Sequence, residues 1–299
     1  MKIIVSGASG LVGCALTSAF RAGNHSVFHL VRPGRPLAPQ EIRWDPHSAH
    51  VDVPALEAAD AVIHLNGANI SERRWTPQRK EILRGSRIDS TRVLVDSLAQ
   101  LRQKPGAFVS ASAVGYYGDR GEELLTESSE AGHDFLSLLA RDWEAEANRA
   151  AQSGIRTVIL RFGVILSDQG GALPQMIRPF RFGAGGPLGN GRQWLSWITL
   201  EDVVGIVRFA IDNSQLFGPV NVVAPQPLRN ADFARAAGRV LHRPAIFPAP
   251  KFALRLALGE MADALLLASQ RAVPERLLAA KYPFQFPDLE ATLKKILHA

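Results

Sequence analysis

The sequence predicts a doubly wound α/β fold, with a mostly parallel sheet covered by helices on both faces and a smaller, mostly helical C-terminal lobe. Three observations predict it. Short apolar, β-branched runs alternate with helical segments along the first half of the chain. The first run feeds a glycine-spaced turn and then an amphipathic helix. From Gly170 the composition turns to glycine, proline and aromatics, and beyond Asn230 the pattern is helical.

Met1 to Ser6 is a strand, and Leu11 to Ala22 a helix ending at Gly23. Ser26 to Val31 is a second strand, closed by "RPGRP". Ala61 to Asn66 ("AVIHLN"), Ala107 to Ala111 ("AFVSA") and Arg156 to Phe162 ("RTVILRF") read as three more, with helices over Pro77 to Gln100 and Asp134 to Gln152 between them. "GGALPQMIRPFRFGAGGPLGNGRQWLSW" (Gly170 to Trp197) reads as an inserted loop system. Thr199 to Asp212 returns to helix, and "GPVNVVAP" (Gly218 to Pro225) adds a strand. The remainder is helical, broken by "HRPAIFPAPK" (His242 to Lys251). The expected plan is a nucleotide-binding domain over 1–170, with 200–225 returning to it, and a cleft-closing substrate lobe from 171–199 and 226–299.

Composition bounds the function. The chain has 299 residues, 46% hydrophobic and 21% charged, as in an ordinary globular protein. No apolar run is long enough for a membrane span, and the N-terminus enters a strand without the layout of a signal peptide. The single cysteine, Cys14, excludes an intramolecular disulfide and a cysteine-rich metal site, and a reducing cytoplasm is the simplest compartment. The formal charge is +6 and the pI about 9.8, but the arginines are dispersed and no nucleic-acid-binding motif accompanies them. His64 and His133 lack metal-ligand spacing, and there is no G-x-S-x-G elbow.

The cofactor signal is "VSGASGLVG", which places Gly7, Gly10 and Gly13 between strand and helix. The first permits a tight turn, the second lets a pyrophosphate approach the backbone, and the third lets helix and strand pack closely. Such Rossmann-type folds carry an acid for the ribose after the second strand when they bind NAD. Here that strand ends in Val31-Arg32 with no acid in the turn, and an arginine can grip a 2′-phosphate. The cofactor expected is therefore NADP. "HLNGAN" (His64 to Asn69) ends the third predicted strand with a small turn that can pass close to the adenosine half.

These motifs, with "SASAVGYYGD", resemble the extended short-chain dehydrogenase/reductases. "RRWTPQRKEILRGSR", "RDWEAEA", "GGPLGNGRQWLSWI" and "NVVAPQPLRNADFA" narrow the resemblance to an atypical branch. This is the NAD-dependent epimerase/dehydratase-like family that ends in a small domain of unknown function. The resemblance implies pyrophosphate contacts at Ser9, Gly10, Leu11 and Val12, and adenosine-phosphate contacts at Val31 and Arg32. It implies an adenosine-side turn at Leu65, Asn66 and Gly67, and further cofactor contacts at Glu81, Arg87 and Ile165.

Ordinary members of that superfamily carry Tyr-x-x-x-Lys on the helix after the serine strand, where the lysine lowers the tyrosine pKa. The corresponding helix here reads "DFLSLLARDWEAEA". Phe135 or Leu136 stands at the tyrosine position, Leu139 or Ala140 at the lysine position, and the helix holds no lysine. Ser112 and Tyr117 of "SASAVGYYGD" remain as the catalytic candidates. Arg161, Arg74, Lys80 and Arg87 are the cations that folding could bring to the phenol. Tyr116 and Trp143 read as packing, and Asp142 and Glu144 as solvated or salt-bridged.

On the substrate side, Arg74 and Trp75 follow the third predicted strand, where ligands sit in open α/β sheets. Gln193 and Trp197, in the glycine-rich loop, are the other candidates for lining the cleft. Two readings stand. One is an NADP-dependent oxidoreductase or epimerase-like enzyme acting on an unidentified small molecule. The other is a catalytically inactive NADP(H)-binding sensor or scaffold. An exposed helix pair is compatible with a homodimer.

Overall fold

The computed structural model describes residues 1–297. In chain order its elements are β1 (Lys2–Ser6), α1 (Leu11–Ala22), β2 (Ser26–Val31), β3 (Glu41–Asp45), β4 (His50–Val51), α2 (Val53–Leu56), β5 (Ala61–His64), α3 (Pro77–Gly85), α4 (Ile88–Ala99) and β6 (Ala107–Ala113). A 3₁₀ turn (Val114–Tyr117), β7 (Leu124–Leu125), α5 (Phe135–Gln152), β8 (Thr157–Phe162), β9 (Val164–Leu166) and α6 (Leu173–Arg181) follow. Then come β10 (Trp194–Leu195), β11 (Trp197–Thr199), α7 (Leu200–Asp212), β12 (Gly218–Val222), β13 (Leu228–Arg229) and α8 (Asn230–Val240). The chain closes with α9 (Lys251–Leu258), a π-helical segment (Ala262–Leu267), β14 (Arg271–Ala272), α10 (Glu275–Ala279) and α11 (Leu289–Leu297).

The fold is the expected Rossmann-type α/β architecture. Eight strands form the central sheet in the order β12-β8-β6-β5-β1-β2-β3-β4. β1 pairs in parallel with β2 and β5, β5 with β6, and β2 with β3, while β3 and β4 pair antiparallel. β1 is flanked by β2 on one side and β5 on the other, so the winding reverses there. Ligands bind at the carboxyl edge of such a reversal.

Three sequence readings change. The sheet extends two strands past β2, because "EIRWD" turns Ile42 and Trp44 into the core while Arg43 stays outside. Its five residues gave too short a signal to read. The helix expected over Pro77 to Gln100 breaks at Ser86-Arg87 into α3 and α4. The stretch read as a loop, 170–197, contains α6, β10 and the first residue of β11.

Two compact units divide the chain. The first comprises Met1–Ser112, Leu139–Leu160 and Val204–Val220, and holds most of the sheet. Its core includes Ile4, Leu30, Trp44, Val62, Leu94, Phe108 and Ile159. The second comprises Ala113–Leu138, Arg161–Val203 and the chain from Asn221 onward. One core in it packs α6, α8 and α11 through Ile177, Phe180, Phe233, Ala237 and Leu293; another groups Val114, Tyr117, Leu125, Val223 and Ala272. Residues 113–138 and 161–170, read from sequence with the first domain, thus cluster with the second unit. Among the described residues no helix is long and apolar enough to cross a membrane.

Candidate functional site

In the first unit the carboxyl ends of β1 and β5 form a narrow backbone crevice. Gly7 has φ +68°, and a Cβ there would lie 2.8 Å from the Leu65 carbonyl oxygen. A Cβ on Gly13 would lie 2.3 Å from the Gly7 carbonyl oxygen, so α1 begins pressed against the turn. Gly10 caps α1 without a side-chain hydrogen bond, and the first turn holds no acid. The helix therefore presents unshielded N–H groups and its positive end beside Ser9, Leu11 and Val12. A diphosphate fits this cradle: it is closely approached by backbone, positive and free of carboxylates.

Across the crevice the Leu65–Ala68 turn is held from α3 and α4. Asn66 Nδ2 donates to the Ser86 carbonyl (3.1 Å), and Ala68 N donates to Ser86 Oγ (3.0 Å). Arg87 donates to the Ala68 carbonyl (3.1 Å), and its guanidinium lies 3.1 Å from where a Gly67 Cβ would be. The break between α3 and α4 thus places Ser86 and Arg87 on the turn. Burial, with Arg79 nearby, pushes the Arg87 pKa down to about 10, so it remains a cation at neutral pH. Glu81 is exposed on α3. Val31 is half-buried at the end of β2, and Arg32 follows it, exposed.

A buried polar chain supports the crevice. Trp143 Nε1 donates to Thr91 Oγ1 (2.9 Å), and Thr91 Oγ1 donates to the Arg87 carbonyl (2.6 Å). The remaining contact of that hydroxyl, His64 Nε2 at 3.0 Å, is assigned as a donor because the threonine proton is already committed. His64 Nδ1 then accepts from Ser6 Oγ at 2.7 Å, and Ser6 Oγ accepts from Leu65 N at 3.2 Å. Complete burial pushes the His64 pKa down to about 3 and keeps it neutral. His64 is thus structural, as its sequence context implies.

Ser112 stands near the end of β6 in the same unit. Its Oγ donates to Glu144 Oε1 of α5 at 2.6 Å, with the two residues 3% and 6% exposed. Glu144, read from the sequence as solvated or salt-bridged, is not solvated: it faces inward, on the helix that also buries Trp143. The one available sequence signal was its place beside a tryptophan on a buried helix face.

Tyr117 belongs to the second unit. Its ring is fully buried, and Arg161 Nη1 donates to Oη at 2.9 Å. The hydroxyl lies 2.7 Å from Asn221 Oδ1 and 2.9 Å from the Thr126 carbonyl. Arg161, one of the cations named from sequence, also stacks 3.6 Å over the Tyr116 ring. Burial outweighs the arginine, and the Tyr117 pKa is pushed up to about 12. Glu127 accepts from Asn221 N (3.0 Å) and Arg276 N (3.3 Å) through one oxygen, while its buried Oε2 has no partner among the described residues. Burial raises the Glu127 pKa.

The other candidates fall in either unit. Arg74 is exposed, and Trp75 is half-buried with Nε1 donating to the Ile70 carbonyl at 2.9 Å. In the second unit Ile165 is half-buried in the β9–β11 pair, opposite Ile198. Gln193 is buried, donating to the Leu188 (3.1 Å) and Leu266 (3.0 Å) carbonyls, and lines a cavity of about 40 Å³. Trp197 is buried and its Nε1 has no hydrogen-bond partner among the described residues. No cluster of His, Cys, Asp and Glu able to hold a metal occurs among the described residues.

Comparison with known proteins agrees with this architecture. Residues 3–223 match the NAD dependent epimerase/dehydratase family, and residues 249–296 match a domain of unknown function, DUF1731. The chain is 44% identical over 282 residues to the epimerase family protein Mb2239 of Mycobacterium bovis, covering 94% of this chain and 93% of that one. The crystal structure of human epimerase family protein SDR39U1 with NADPH superposes with a TM-score of 0.91 at 36% identity, over 100% of this chain and 99% of that one. A nucleoside-diphosphate sugar epimerase from Corynebacterium glutamicum gives a TM-score of 0.82 at 36% identity, over 99% of this chain but 58% of that longer one. Fold, glycine-turn cradle and matched span agree: the chain belongs to the NAD-dependent epimerase/dehydratase family.

Proposed function

We propose that the protein is an NADP(H)-dependent oxidoreductase, epimerase-like in fold, acting on a small molecule with an alcohol or carbonyl group. The observation that carries the reading is the buried Ser112–Glu144 hydrogen bond of 2.6 Å, at the same sheet edge as the glycine turn. NADP(H) supplies or accepts the hydride in such chemistry. In the first unit Ser9, Gly10, Leu11 and Val12 would hold the pyrophosphate, with Val31 and Arg32 on the adenosine phosphate and Leu65 to Gly67, Glu81 and Arg87 making the other contacts. The absence of an acid after β2 and the NADPH of the human relative both support NADP over NAD.

Ser112 is proposed to handle the proton. Its hydroxyl proton points to the Glu144 carboxylate, which leaves the Oγ lone pairs to accept a proton from a substrate alcohol. As that proton arrives at Oγ, the serine proton passes to Oε1; carbonyl reduction runs the same path backward. Tyr117 is proposed to brace the second unit, because burial pushes its phenol pKa up to about 12 and its hydroxyl meets Asn221 and Thr126 rather than a carboxylate that could take the proton. In the first unit Arg74 and Trp75 are the proposed substrate-side residues. The lone cysteine fits a reducing compartment such as the cytoplasm.

NADPH absorbance followed against a panel of aldehydes, ketones and sugar nucleotides tests the reading. Turnover should vanish in Ser112→Ala and fall at least tenfold in Glu144→Gln, with NADPH binding unchanged in both. Tight NADPH binding without turnover across the panel favours the second reading, a sensor or scaffold. That reading draws support from the missing lysine of α5.

A further inference from the structure

The sequence offers one cation for a 2′-phosphate, Arg32, but the sheet register brings up a second. β2 and β3 pair in parallel with His29 opposite Glu41, Leu30 opposite Ile42, and Val31 opposite Arg43. Leu30, Ile42 and Trp44 point into the core, so His29, Val31, Glu41 and Arg43 share the other face. That face is the one α1 covers, since Thr17 Oγ1 lies 3.1 Å from His29 Nε2. Arg43 therefore sits beside Val31 at the carboxyl edge of β2, one strand over from the residue that precedes Arg32. Both arginines are exposed, and neither has a side-chain partner among the described residues.

The carboxylates on this face are occupied elsewhere. Glu41 accepts two hydrogen bonds from Arg35, at 2.8 and 2.5 Å, and one from Ala38 N at 2.8 Å. These bonds hold its pKa down to about 2. Asp45 accepts from His47 N (3.0 Å) and Ser48 Oγ (2.8 Å), in the turn that follows β3. Two unpaired guanidinium groups thus flank the strand end where a dinucleotide ribose sits, with no free acid to hold them.

We infer that Arg43 is the second cation of a 2′-phosphate clamp, acting with Arg32 to select NADP over NAD. The ligand group is a phosphomonoester carrying close to two negative charges at neutral pH, which matches a two-guanidinium site. The inference rests on the NADP reading above.

Fluorescence titration with NADPH and with NADH tests it, on the wild type, Arg43→Ala, Arg43→Gln and Arg32→Ala, with 2′,5′-ADP as competitor. Arg43→Ala should weaken NADPH and 2′,5′-ADP by about tenfold to a hundredfold and NADH less than about twofold, the cost of one charge-assisted contact. Arg43→Gln keeps most of the side-chain stem and should lose nearly as much. Equal losses for NADPH and NADH, or no loss for either, overturn the clamp and leave Arg43 an ordinary surface arginine. If the wild type itself does not prefer NADPH, the NADP reading fails first, and that outcome is visible before any variant is compared.

Discussion

Acidification below pH 6.5 should loosen the β1–β5 crevice through His64. The imidazole is completely buried, donates from Nε2 and accepts at Nδ1, so a second proton would face the Ser6 hydroxyl proton directly. Its folded pKa is pushed down to about 3 from an ordinary value of 6.5. Above pH 6.5 both folded and unfolded chains hold neutral imidazole, and the term vanishes. Between 6.5 and 3 the unfolded chain takes up a proton that the folded chain refuses, so stability falls as pH falls. At about 1.4 kcal/mol per unit, going from pH 7 to 5 removes about 2 kcal/mol, or about 25-fold in an opening equilibrium. Hydrogen exchange at the β1 and β5 amides, corrected for intrinsic rate, reads that opening. The wild type should lose about 25-fold more protection over this interval than His64→Gln. Other titrating groups are common to both proteins and cancel. Parallel pH profiles for the two would refute the argument; should His64→Gln fold poorly, His64→Asn carries the same comparison.

Two further predictions concern the backbone. Gly13→Ala forces a Cβ to within 2.3 Å of the Gly7 carbonyl and should lower both stability and NADPH affinity, the latter at least about tenfold by fluorescence titration, whereas a Cβ on Gly10 meets no protein atom nearer than 3.4 Å, so Gly10→Ala should keep its stability and weaken NADPH alone, where the pyrophosphate approaches the backbone. Asp202, fully buried at the start of α7, accepts from Gln285 N (3.0 Å) and Phe286 N (3.2 Å); Asp202→Asn should cost about 1–3 kcal/mol and speed protease cleavage near Phe286.

The nucleotide-binding half was legible because its signals are local. A β-branched strand, three glycines and an amphipathic helix lie consecutively, and the structure reproduces α1 and β2 at their expected bounds. What escaped depended on contacts distant in sequence. Glu144 reads as one acid among several on a charged helix, and only packing turns it toward Ser112, 32 residues away. Arg43 lies in a five-residue strand whose alternation is clear only once Ile42 and Trp44 are seen to be buried. The break at Ser86-Arg87 interrupts a helical pattern without proline, because the turn at 66–68 recruits the Ser86 carbonyl and hydroxyl. Tyr117 was legible as a candidate, but its enclosure by Asn221, 104 residues on, was not.

Without the lysine, the phenol depends on Arg161 for its charge partner. Arg161 does meet the Tyr117 phenol, at 2.9 Å, and a cation there lowers a phenol pKa. Desolvation is the larger effect, and the net result is a pKa of about 12, higher than that of a phenol in water. At pH 7 the phenolate fraction is then about one in 10⁵, against a general base that works best near ambient pH. The hydroxyl accepts from Arg161 and can donate to Asn221 or Thr126. Tyr117→Phe should therefore leave Arg161 and Asn221 short of a buried partner, costing about 1–3 kcal/mol of stability, while turnover per folded molecule stays within about threefold. Ser112→Ala should do the reverse. Loss of turnover in Tyr117→Phe at unchanged stability would move the proton chemistry to the phenol and remove Ser112 and Glu144 from the reaction path.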